Sequence, residues 1–169
     1  MAPQPLDSYV TFVETDSADF GIGVLRISGL DSADILSVRD NGNITLTGGV
    51  NVVWGGATTF GTLSGGSGGS DLVITFNANA TPTRIDELIE NITYATNADI
   101  PPAVHSLSLT VSDGDGGTSA AKTISLTVTA EDDSPVVTAS GGTPAFTEDG
   151  IPLVLDSAIT VVEPDGDNI

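Results

Sequence analysis

Short runs in which apolar and polar residues alternate dominate this chain. In the run 104–112, Leu107, Leu109 and Val111 fall on one face and serines and threonines on the other; in 121–128, Ile124, Leu126 and Val128 do the same. A period of two is that of a half-buried strand. The segment Asp113-Gly114-Asp115-Gly116-Gly117 between them has turn chemistry, so the two runs predict a β-hairpin with one wet face. Similar runs predict strands at 9–13, 23–28, 35–38, 44–47, 50–54 and 72–77. Turn residues separate them about every 8–12 positions, the spacing of a β-sandwich.

One segment has a different period. Between Thr81 and Ile92, apolar residues fall at Ile85, Leu88, Ile89 and Ile92, which is helical spacing. Thr81 suits the N-cap and Pro82 the first helical position, while Asp86 and Glu87 still lie near the positive end of the dipole. The pattern predicts a short helix near 82–91 that packs Ile85, Leu88 and Ile89 on the sandwich. Ser64-Gly65-Gly66-Ser67-Gly68-Gly69-Ser70 reads as a flexible hairpin loop.

The chain also repeats itself. Residues 6–16 (LDSYVTFVETD) reappear as residues 155–165 (LDSAITVVEPD), with seven of eleven positions identical at an offset of 149. The repeat predicts a tandem array of which this chain holds one full period and the opening of the next. The expected division is a sandwich over 6–130, an acidic linker at 131–133, and the start of a second unit over 134–169. So short a tail cannot bury a core of its own. It is expected to fold back, with 136–139 and 153–162 completing the sandwich; the alternative is an open edge that pairs with another molecule.

Composition narrows the chemistry. Four basic residues stand against 23 acidic ones, a formal charge of −19, yet 39% of residues are hydrophobic. That is too apolar for a disordered acidic tail, and Arg26, Arg39, Arg84 and Lys122 are too scattered for a nucleic-acid stripe. No run approaches a membrane span, and residues 1–5 lack the basic and apolar regions of a signal peptide. With no cysteine and one histidine, thiolate sites and His-rich metal sites are excluded, whereas carboxylates, hydroxyls and amides are plentiful. Such hard oxygen donors favour Ca²⁺.

The acids gather at predicted strand ends, as Glu14/Asp16/Asp19, Asp113/Asp115, Glu131/Asp132/Asp133, Glu148/Asp149 and Glu163/Asp165/Asp167. Two carboxylates about 4 Å apart repel by about 4 kcal/mol at an effective dielectric near 20, and a bound Ca²⁺ is the simplest relief. The plainer reading is that acidic turns keep the protein soluble. His105 reads as a solvated side chain on the polar face of its strand, not a catalytic one. Trp54 reads as core or edge packing more readily than as a sugar platform, a role that Tyr9 and Tyr94 could also fill. Asp113-Gly114-Asp115 has no Glu at the twelfth position and is not an EF-hand loop. Paired carboxylates at loop ends do not make a glycosidase site.

Several stretches resemble cadherin repeats. Residues 111–116 are similar to the "V-x-A-x-D-x-G" strand end, 128–135 to the linker "V-x-D-x-N-D-N-x-P", Glu163–Asn168 to the "D-x-D" opening of the next repeat, and 146–149 to an acidic "x-E-x" turn. A closer resemblance is to bacterial cadherin-like repeats of large secreted RTX-type adhesins, carried by 19–25, 71–81, 88–96 and 111–119. Thr129, Glu131 and Asp133 depart from the linker pattern. The resemblance implies an antiparallel sandwich of cadherin/Ig-like Greek-key type, not an enzyme, displayed outside the cell or on its surface. It further implies Ca²⁺ held at one pole by Asp16, Asp19 and Asp113, and at the other by Glu131, Asp132 and Asp133 with Asp165 and Asp167. The expected function is rigidifying a tandem adhesin; a calcium-dependent exopolysaccharide-binding module is the alternative. Expected partners are neighbouring repeats, with homotypic association or polysaccharide as further options, and neither nucleic acid nor membrane.

Overall fold

The computed structural model describes residues 3–6, 13 and 20–166, and the chain divides into two compact units. The first runs to Ala98 and resumes over Pro102–Val128; the second comprises Asp99–Pro101 and the chain from Thr129.

The first unit is an antiparallel β-sandwich. Its strands are β1 (Gln4–Pro5), β2 (Val24–Ser28), β3 (Asp34–Val38), β4 (Ile44–Thr47), β5 (Asn51–Trp54), β6 (Thr58–Gly65), β7 (Leu72–Phe76), β8 (Ile92–Thr96), β9 (Val104–Ser112) and β10 (Lys122–Thr127), with helix α1 (Pro82–Ile89) before β8. Among the described residues, seven strands form one sheet in the order β10-β9-β2-β7-β6-β5-β4, and three form the other in the order β1-β8-β3. The predicted hairpin is present, with Ile124 opposite Leu107. The strand expected at 9–13 lies almost wholly outside the described residues. Among the described residues, no helix is long and apolar enough to cross a membrane.

Alternation decides what each strand buries. Leu25 and Ile27 of β2, Leu72, Ile74 and Phe76 of β7, and Leu107, Leu109 and Val111 of β9 face inward, against Leu36 and Val38 of β3 and Ile92 of β8. Each such side chain, fully buried, contributes about 1.5–3 kcal/mol. Helix α1 adds Ile85, Leu88 and Ile89 to the same core, as its spacing predicts, with Pro82 at the start. Thr81 makes no side-chain cap; its carbonyl accepts from the Ile85 amide at 3.0 Å. Glu87 faces the turn before β4, where its carboxylate accepts from the Asn43 backbone N–H at 2.8 Å and from Asn43 Nδ2 at 3.2 Å. Trp54 is half-buried against the core, and the Arg84 guanidinium lies 5.6 Å from its ring centroid.

The Gly/Ser loop between β6 and β7 differs from the flexible segment expected. Gly66 donates to the Ser70 and Asp71 carbonyls at 3.1 Å, and its own carbonyl accepts from the Leu36 amide at 2.7 Å. Ser67 bridges to Ile35. Gly66 has φ +82°, and a Cβ there would stand 2.7 Å from the Leu36 carbonyl oxygen. Glycine is therefore required by contact as well as by conformation. A composition that reads as slack is used here to bring two backbones together.

The second unit holds β11 (Val136–Thr138) and β12 (Thr160–Val162), paired antiparallel with Val136 opposite Val162. Between them, Asp156 ties the connection together by accepting from Ser140 N at 2.7 Å, Ser140 Oγ at 2.8 Å and Ala158 N at 2.9 Å.

Two alanine substitutions separate conformation from contact. Gly48 has φ +63° with open space at its Cβ, so Gly48→Ala is expected to cost about 1 kcal/mol. Gly66→Ala meets the Leu36 carbonyl as well and is expected to cost about 3 kcal/mol. Denaturant unfolding of the two variants checks this, and equal losses would contradict the contact at Gly66.

Candidate metal centres

The loop from β2 to β3 turns tightly through Asp31-Ser32-Ala33-Asp34. The Asp34 amide donates to the Asp31 carbonyl at 3.1 Å, and the Asp31 amide donates to Asp34 Oδ2 at 2.7 Å. Asp34 opens β3 on the same face as Leu36 and Val38, so alternation carries its carboxylate inward, where it is 3% exposed. Tyr94 of β8 donates its hydroxyl to Asp34 Oδ1 at 2.7 Å. From the other sheet comes His105 of β9, 7% exposed and stacked on Tyr94 at a centroid distance of 6.0 Å. Its Nε2 lies 3.1 Å from Asp34 Oδ2 and its Nδ1 lies 3.6 Å from Asp31 Oδ2.

This corrects the sequence expectation of a solvated His105. The histidine is two residues from Leu107 and shares its face, so the inward alternation of β9 includes it. The contact with Asp34 lacks hydrogen-bond alignment, and Nε2 is left buried without a partner among the described residues, an arrangement that costs about 1–3 kcal/mol when nothing else satisfies the group. Asp31, Asp34 and His105 bring three ligand atoms within 4.8 Å of one another and could hold a metal ion; among the described residues no other group of three His, Cys, Asp or Glu does so. Asp31, with its side chain 65% exposed, leaves the cluster open to solvent.

The sequence-predicted acids are distributed differently. Glu14, Asp16, Asp19 and Asp167 lie outside the described residues. Asp113 is engaged within its own turn, where Oδ1 accepts from the amides of Asp115 at 2.8 Å and Gly117 at 3.0 Å. Asp115 and Glu148 are exposed. In the second unit, Glu131, Asp132 and Asp165 line one pocket of about 250 Å³, together with Asp99, Ile100 and Ala130. Asp133 joins through its backbone, donating its N–H to Asp165 Oδ2 at 2.5 Å. The other oxygen, Asp165 Oδ1, is buried without a hydrogen-bond partner among the described residues. Asp99 carries no sequence signal of its own, because it stands as an isolated acid between Ala98 and Ile100.

Comparisons with protein-family models, with curated proteins and with solved structures return no match for this chain.

Two titrations report on these surroundings. Burial, and then the hydrogen bond to Asp34, push the Tyr94 phenol up to about 12. A phenol raised in the folded state stabilises fully below its ordinary value, and that contribution is lost as pH climbs through the folded one. In Tyr9→Phe, ultraviolet absorbance should therefore show the remaining tyrosine ionising near 12, and an ordinary tyrosine titration would contradict the buried pair. The backbone amides of Ser140 and Ala158 hold the Asp156 carboxyl below the usual carboxylate range. Its contribution is present at neutral pH and lost as pH falls through that depressed value. Asp156→Ala should accelerate amide exchange over 136–162 at neutral pH, and the difference from the parent should vanish in strong acid.

Proposed function

We propose that this chain is a non-catalytic, calcium-binding repeat of a cadherin-like adhesin, displayed outside a bacterial cell or on its surface. Its task is mechanical: Ca²⁺ in the acidic joint neutralises the carboxylates there and stiffens the connection to neighbouring repeats of the same polypeptide. The observation that carries this reading is the buried Asp165 Oδ1, without a hydrogen-bond partner among the described residues, in a pocket that Asp99, Glu131 and Asp132 also line. A carboxylate oxygen withdrawn from water needs a cation or a donor, and an all-oxygen donor set suits Ca²⁺. The pocket also lies where the repeat places its joint, since Asp165 closes the second copy of the repeated segment.

The exopolysaccharide reading is weaker on this structure. Arg84 occupies a face of the Trp54 ring, and the Tyr94 hydroxyl is committed to Asp34.

Ca²⁺ at 100 times its dissociation constant stabilises by about 2.7 kcal/mol per site. Millimolar Ca²⁺ is therefore expected to raise the melting temperature above that in EGTA and to slow amide exchange at 131–133 and 165. Asp165→Asn should abolish both effects. An unchanged melting temperature together with unchanged exchange at these residues would sink the calcium reading.

A further inference from the structure

We infer that Asp31, Asp34 and His105 form a separate site in the sandwich for a zinc-class divalent ion, which cross-links its two sheets. The ligand chemistry differs from that of the acidic joint. An imidazole nitrogen beside two carboxylates suits a borderline ion such as Zn²⁺, whereas Ca²⁺ prefers oxygen alone.

Three observations converge on the site. His105 Nε2 is buried in a residue 7% exposed, lacks a hydrogen-bond partner among the described residues and faces Asp34. Its distance to Asp34 Oδ2 is 3.1 Å, close to the edge of about 3.3 Å expected for a tetrahedron with bonds of about 2.0–2.1 Å. The Asp34 carboxylate is already oriented by Tyr94 Oη–H and the Asp31 amide, both at 2.7 Å, as outer partners orient metal ligands.

A buried imidazolium paired with the two carboxylates accounts for the geometry less well. Such a ring needs aligned N–H donors, yet Nε2 is misaligned and Nδ1 stands 3.6 Å from Asp31 Oδ2, beyond hydrogen-bond reach. One ion between the side chains could be held by an imidazole nitrogen and both carboxylates together, since their ligand atoms lie within 4.8 Å of one another. It would join Asp34 on β3 to His105 on β9, and so one sheet to the other. In a chain without cysteine, such an ion takes the place of an inter-sheet disulfide.

The single histidine makes the test direct, because its ring gives one set of NMR signals. The full chain, stripped with EDTA, is titrated with Zn²⁺ in millimolar Ca²⁺ so that oxygen sites are already filled. Binding of one equivalent is expected, with the His105 ring signals shifted and the melting temperature raised. His105→Gln and the exposed Asp31→Asn should each weaken this binding by at least the roughly tenfold that loss of an outer partner costs. Asp31→Asn guards against misfolding of the buried variant, and Asp165→Asn should leave zinc affinity unchanged. The site is overturned by absence of binding at millimolar Zn²⁺, by binding that leaves the His105 signals in place, or by full affinity in Asp31→Asn and His105→Gln.

Discussion

Strand alternation against a shared core is the constraint on which the rest of the first unit depends. Once Leu107, Leu109 and Val111 must face the opposite sheet, every second residue of β9 must do so too, and His105 has no choice of side. The same holds for Asp34, which is committed inward by Leu36 and Val38. Two polar side chains are thereby held at the margin of an apolar interior by the packing energy of their neighbours. Neither could leave without turning a whole strand over. The core therefore supplies the preorganisation of the polar cluster, and Tyr94, packed on the imidazole and bonded to the carboxylate, holds both in place.

Much of this was legible before any coordinates. The β9–β10 hairpin, β4, β7 and the inward residues of α1 follow from period and turn chemistry alone. Three strands of the first unit are not legible; β1, at Gln4–Pro5, is too short to show a period. β6 runs through Thr58–Gly65 beside an irregularity in pairing at Val52 and Val53, and Gly61 interrupts its apolar signal. β8 buries Ile92, Thr93 and Tyr94 in succession, so it shows no alternation. The cluster is hidden for a related reason: a histidine among serines has the polarity of a wet position, and only its parity with Leu107 places it inward. Counting in twos back from Leu107 reaches His105, and counting back from Leu36 reaches Asp34. Their meeting across two sheets, however, is a tertiary fact with no local signal.

The acidic pocket shows the reverse balance. Clustering of acid at 131–133 and 163–167 is plain in the sequence, and the structure brings Glu131, Asp132 and Asp165 to one cavity. Asp113 shows how the same residue type serves another end. Its carboxylate is spent on two backbone amides of a glycine-rich turn, which is ordinary Asx chemistry. Acid content alone therefore does not distinguish a ligand from a turn former; the difference lies in whether the oxygens already have donors.

The loop at Gly66 has a consequence for how the molecule meets its own kind. Among the described residues β3 ends its sheet, and its outer edge would otherwise present unpaired amides and carbonyls to any passing strand. The Gly66 carbonyl and the Ser67 bridge occupy that edge at Leu36 and Ile35. A stretch of sequence that a protein engineer would choose first for inserting a tag is thus a cap on a sticky margin. Lengthening it would release β3 and invite lateral stacking of molecules.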